Sequence, residues 1–249
     1  MKLYDLSLRA FFAKQSFKDC FVAALLAMTL VLISLSGCSS AEELPSGGGE
    51  AFRYEIRKLK MKVGNAETIY KGLVDHEGGQ AILITVISKG FNFYDAEEIY
   101  LDPQTFYPLF ISRDLDIFGK KEKIKEYYDR ERGKVRIVKE ARGRTSEQTI
   151  EKKERLENIY GFILRFRLQG NLTPNNKITV NLPTKEVVMI VRGNKELVIN
   201  GKTYQTTFVE SEPAKFKIWF EETPKKIPLK IDGAVGFGKT SMVFVSGSH

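Results

Sequence analysis

The sequence predicts a mainly β domain: an antiparallel β-barrel or strongly curved antiparallel sheet with one packed α-helix. Three observations carry this. Apolar and polar residues alternate with period two from Phe52 onward, tight-turn residues recur at short intervals, and a single segment breaks the alternation with a three- and four-residue apolar repeat.

Phe52, Tyr54 and Ile56 fall on one face and Arg53, Glu55 and Arg57 on the other, as in a half-buried strand. The same pattern marks strands at about 52–62, 66–74, 80–89, 95–101, 107–115, 121–130, 133–141 and 145–152. It resumes at about 177–182, 185–192, 195–209, 215–221, 228–232 and 238–245. Glu77-Gly78-Gly79, Arg132-Gly133, Gly143, Gly193-Asn194 and Asn200-Gly201 supply turns between them, the last being a strong two-residue hairpin signal. Short strands with little helix between them favour a meander over a parallel α/β sheet. Leu156, Ile159, Tyr160, Ile163 and Phe166 then predict a helix at about 155–168, with Gly170 placed to end it. Such a helix would lay an apolar stripe on the concave side of the sheet; a movable lid over a hydrophobic cavity is the sharper alternative.

The front of the chain is different. Lys2, Arg9, Lys14 and Lys18 precede a charge-free run from Phe21 to Leu35, the basic-then-apolar order of an export signal. Fifteen helical residues at about 1.5 Å each reach about 22 Å, short of a hydrocarbon core of roughly 30 Å. Leu35-Ser36-Gly37-Cys38 closes the run and is similar to the lipobox of bacterial lipoproteins. That resemblance implies removal of residues 1–37, acylation of Cys38, and, with Ser39 rather than aspartate next, the periplasmic face of the outer membrane. Two or three acyl chains hold a protein on a bilayer where one does so only marginally. Residues 38–50, rich in Gly, Ser and Glu, read as a lipidated tether with an r.m.s. reach of roughly 20 Å. Residues 51–246 read as a single β-rich periplasmic domain.

The chain has 39 basic and 31 acidic residues, a net charge of +8. Loss of residues 1–37 takes four basic and two acidic groups and leaves about +6, spread mostly beside glutamates as on solvated faces. The alternative is attraction to anionic headgroups. Cys20 lies in the removed segment, so the mature chain carries no disulfide. Nucleic acid is a poor partner for an exported chain.

Motifs that would carry chemistry dissolve one by one. Gly233 to Thr240 spell the phosphate-loop pattern G-x-x-x-x-G-K-T, but that loop needs a helix after it. Here Ser241-Met242-Val243-Phe244-Val245 predicts a last strand, so no nucleotide is expected. His76, in an expected turn, and His249 have no ligand-spaced partners, so no metal and no cofactor are expected. Asp95-Glu97-Glu98, Asp114-Asp116 and Glu221-Glu222 are expected where strands meet turns, without the apolar setting that raises a carboxyl pKa. No catalytic residue is assigned. Phe91, Phe93, Tyr94, Tyr100, Phe106, Tyr107 and Phe110 cluster where sheet is expected. Aromatics at strand spacing are usually core; the alternative is an apolar groove formed by Phe91, Phe93, Tyr100, Phe106 and Phe110 with Ile163 and Phe166.

Several phrases together resemble a family of exported bacterial proteins, domain-of-unknown-function family 3108, across most of residues 52–245. They are Tyr54 with a Gly64-Asn65-Ala66 turn, Leu101-Asp102-Pro103 followed by Thr105 and Pro108, the aromatic helix ending Leu164-Arg165, and Ile227-Pro228-Leu229-Lys230 with Phe237-Gly238. The resemblance implies a predominantly β domain of the cell envelope with no assigned activity. The resulting expectation is a membrane-anchored, non-catalytic lipoprotein that binds a hydrophobic ligand or assists envelope assembly. A purely structural or protein-interaction lipoprotein is the first alternative and a carboxylate-dependent envelope hydrolase the second.

Overall fold

Burial along Glu50–Lys58 (β1) follows the alternation: Phe52, Tyr54 and Ile56 are at most 1% exposed, whereas Arg53 lies in solvent. The computed structural model describes residues 49–129, 131–234 and 240–248. After β1 come β2 (Met61–His76), β3 (Gly79–Gly90), β4 (Phe93–Leu101), β5 (Pro108–Ile117), β6 (Lys120–Asp129), β7 (Lys134–Ala141) and β8 (Arg144–Glu151). A helix, α1 (Ile159–Gln169), precedes β9 (Lys177–Leu182), β10 (Lys185–Ile199), β11 (Lys202–Glu212), β12 (Lys217–Glu221), β13 (Pro228–Asp232) and β14 (Ser241–Ser248).

All strands join one antiparallel sheet in the order β8-β7-β6-β5-β4-β3-β2-β1-β14-β13-β12-β11-β10-β9. Two meanders therefore meet at the β1–β14 pair, and the sheet stays open, with β8 and β9 as its edges. The chain passes from one edge to the other through α1. The connecting segment meets the β9 edge, where Lys152 Nζ donates to Leu182 O at 2.7 Å and Glu157 N to Asn181 O at 2.7 Å.

The helix sits deeper than a stripe on a concave face. Ile159, Tyr160, Phe162, Ile163, Leu164 and Phe166 are all buried, so nearly its whole circumference is core. Phe166 packs on Phe220 of β12 at 5.0 Å, and a Cβ on Gly161 would come within 3.0 Å of Leu101 in β4. Both halves of the sheet thus close on one helix, which fills the core and is no lid. Asn158 caps it, accepting from Tyr160 N at 2.8 Å and Gly161 N at 3.4 Å, so it begins at Ile159 and not near 155. Gly170 ends it as expected, but for want of space: its φ is −69°, and a Cβ there would stand 2.3 Å from Phe166 O.

Turns account for the other departures. Asn200-Gly201 forms the expected hairpin, with φ of 49° and 79°. Gly193 does not turn the chain; it sits at a bulge within a continuous β10, where the register with β11 shifts between Val191 and Gly193. Gly64-Asn65-Ala66 is likewise no turn but the middle of β2, where a Cβ on Gly64 would meet Lys89 O at 2.4 Å. The turn lies instead at Leu59-Lys60, both at positive φ without a glycine.

Candidate functional site

Strand parity places residues 93, 95, 97, 99 and 101 of β4 on one face. Phe93, Ile99 and Leu101 are core, yet between them the same face carries Asp95 and Glu97. Register adds to the break: Glu97 lies opposite Arg113 of β5, and Ile111 opposite Glu126 of β6. Asp95, Glu97, Arg113, Glu126 and Tyr128 therefore converge on the inner side of β4–β6. There they form the floor of an open cleft of about 380 Å³. Glu157, Asn158 and Tyr160 at the entrance to α1 form one wall, and Leu182–Lys185 between β9 and β10 another, with Val86, Ile137, Ile159 and Phe216 as apolar surface.

The charges are organised. Arg113 holds Asp95 in a two-pronged pair, Nε to Oδ1 at 2.7 Å and Nη2 to Oδ2 at 2.6 Å, which raises the guanidinium pKa further. Glu97 accepts from Asn158 Nδ2 at 3.1 Å, so the helix cap and the cleft share a residue. Enclosure of its carboxyl pushes Glu97 up to about 7; Arg113 works against that shift, and Asp95 and Glu126 add to it. Burial also raises Glu126, whose Oε2 accepts from Tyr128 OH at 2.5 Å. Glu157, 5% exposed, is pushed up to about 7 by burial although Arg165 Nη2 lies 2.5 Å away. Lys185 on the far wall is lowered by burial and by Lys215.

These geometries correct the expectation for the carboxylates. Asp95 and Glu97 lie within β4 and Asp114 within β5, not at strand ends, and Glu97 does have a setting that raises its pKa; Asp116 does meet a turn as expected, its Oδ1 accepting from Gly119 N at 2.9 Å. Glu221 ends β12 as expected. The cleft can seat a ligand that donates hydrogen bonds or carries a cation at Glu97, and a protonated Glu97 can itself donate.

The seven residues of the expected apolar groove do not meet. Phe93, Phe106, Ile163 and Phe166 belong to the closed core, Phe91 is 89% exposed at the β3–β4 turn, and Tyr100 and Phe110 stand on the outer face of the sheet. There Tyr100 stacks on His76 at 4.2 Å, and Phe110 packs tilted against Tyr127 at 5.1 Å. His76 thus ends β2 against an aromatic ring instead of standing free in a turn. Leu35, Ser36, Gly37 and Cys38 lie outside the described residues, as does His249. Of the phosphate-loop look-alike, residues 235–239 also lie outside them; Gly233 N donates to Thr240 O at 3.2 Å, and Ser241 begins β14, the expected last strand. Among the described residues there is no metal-binding group of three or more His, Cys, Asp or Glu, and no helix long and apolar enough to cross a membrane.

No protein-family model matches the chain, and no curated protein matches it. Among solved structures the chain is similar to a β-barrel-like protein of domain-of-unknown-function family DUF1849 from Brucella abortus. The identity is 8% and the TM-score 0.45, over 80% of this chain and 96% of the other.

Proposed function

We propose that the chain is an envelope lipoprotein, held on the periplasmic face of the outer membrane by acyl chains on Cys38, whose β domain is a non-catalytic binding module. Its binding site is the cleft around Glu97. One observation carries this: a face of β4 that is apolar core at Phe93, Ile99 and Leu101 gives up two positions between them to Asp95 and Glu97, whose enclosure costs free energy. Such polarity is worth keeping where a ligand meets it. Among the described residues α1 fills the space between the two halves of the sheet. The ligand that suits the cleft is a hydrophobe with a cationic or hydroxyl-bearing head, the head at Glu97 and the apolar part along Val86, Ile137 and Ile159. A thermal-shift screen of amphiphilic amines and polyols tests it: a compound that stabilises the wild-type chain should lose that effect with Glu97→Gln, and equal stabilisation of both places binding elsewhere.

A second reading, a carboxylate-dependent hydrolase, is favoured by the convergence of Asp95 and Glu97 on one face of β4 in the cleft. It requires turnover of a glycoside or ester that Glu97→Gln abolishes; binding without turnover removes it.

A further inference from the structure

The four hairpin turns β1–β2, β3–β4, β5–β6 and β7–β8 stand at one end of the meander, two strands and so about 10 Å apart. Their register steps one way, Gly64 opposite Gly90 and Glu122 opposite Ala141, as tilted strands of a curved sheet require. Three of the four tips are apolar and exposed: Leu59 (84%) with Met61 (67%), Phe91 (89%) and Phe118 (74%). Phe118 N donates to Asn92 O at 2.8 Å, tying two of these tips together. The turns at the other end are polar instead, with Glu77-Gly78, Asp102-Pro103-Gln104 and Glu131-Arg132-Gly133.

Leu59 and Phe118 also sit at φ of 50° and 53°, the left-handed region that favours Gly and Asn. A large apolar side chain there is strained and, being exposed, gains no packing in return. Cations surround the tips. Lys58, Lys60, Lys89, Lys120 and Lys121 are exposed and have no ion-pair partner among the described residues, while Lys62 pairs with Glu55 at 3.3 Å. Lys89 also lies over the ring of half-exposed Tyr94 at 5.5 Å.

We propose that this end of the meander is a docking surface for an anionic lipid bilayer, with Leu59, Met61, Phe91 and Phe118 entering the interface and the lysines meeting headgroup phosphates. Protein interfaces are depleted in lysine at their centre and want contiguous apolar area. Separated apolar tips, each beside long cationic side chains that can snorkel, suit a bilayer. The surface is independent of Cys38 and of the cleft.

The test is tip fluorescence of the full chain. The wild type has one tryptophan, the buried Trp219, which provides the baseline. With Phe91→Trp or Phe118→Trp, vesicles containing phosphatidylglycerol should blue-shift the new emission, and lipids brominated along their acyl chains should quench it. Pure phosphatidylcholine vesicles should do neither. Lys60→Gln, Lys120→Gln and Lys121→Gln should each weaken binding about fivefold. A tip tryptophan that keeps its water-exposed emission on anionic vesicles, or inserts equally without anionic lipid, overturns the proposal. Because the readout is local to the tip, a failure of the Cys38 anchor leaves it unchanged.

Discussion

Glu97 is the residue on which the proposed binding site turns. Its carboxyl, like that of Glu157, is pushed up to about 7 from an ordinary value of 4.5. A carboxyl with a folded value above its unfolded one binds more protons when folded, so folding stability falls as pH rises from about 4.5 to about 7 and levels off above. Urea unfolding at pH 5 and pH 8 should therefore give the lower midpoint at pH 8, and Glu97→Gln should shrink the difference. A midpoint that ignores pH would contradict the enclosure of this group. Binding of a cationic head runs the opposite way and should strengthen as Glu97 ionises through pH 7. None of this follows from the local sequence, since Arg113 and Glu126 reach Glu97 only through the pairing of β4 with β5 and β5 with β6. The signal that was present is a defect in alternation: Phe93, Asp95, Glu97, Ile99 and Leu101 share a face, and two of the five are charged.

At the scale of elements, α1 is the part on which both halves of the sheet depend. Ile163, fully buried, should cost about 2–5 kcal/mol on replacement by alanine, because the void lies where two meanders meet and neither can collapse alone. Asn158→Ala should cost about 1 kcal/mol through the lost cap and also remove the amide that faces Glu97, so its effect on ligand binding should exceed its effect on stability. Calorimetric melts of the two variants check both figures; an Ile163→Ala protein as stable as wild type would mean the helix is peripheral. The helix was legible from its three- and four-residue apolar spacing, and the strands from period two, because both record which face is buried. Turns were legible where glycine or Asn-Gly marks them, as at Gly78 and Gly201. They were not where Leu59 and Lys60 adopt positive φ, nor where Gly193 serves a bulge and Gly64 serves close packing. A glycine reports that a side chain will not fit, and sequence does not say whether backbone angle or a neighbour is the reason.

At the scale of the whole molecule, the open sheet closes on a helix, and among the described residues polar groups interrupt the core at the cleft and at the buried Arg167–Glu50 pair, while the tether proposed for residues 38–50 would decide where that cleft works. Cys38→Ser should move the protein from the membrane fraction to a form that high salt releases, through loss of the acyl chains but not of the lysine-rich tips. Membrane retention in salt with residues 1–37 still attached would mean the front segment is an uncleaved anchor. Native mass spectrometry of the chain isolated from its own host's envelope shows whether the cleft holds a ligand. The prediction is one small-molecule adduct on the wild-type protein that is absent from Glu97→Gln; a wild-type protein that leaves the envelope with its cleft empty, or a Glu97→Gln protein carrying the same adduct, would contradict it.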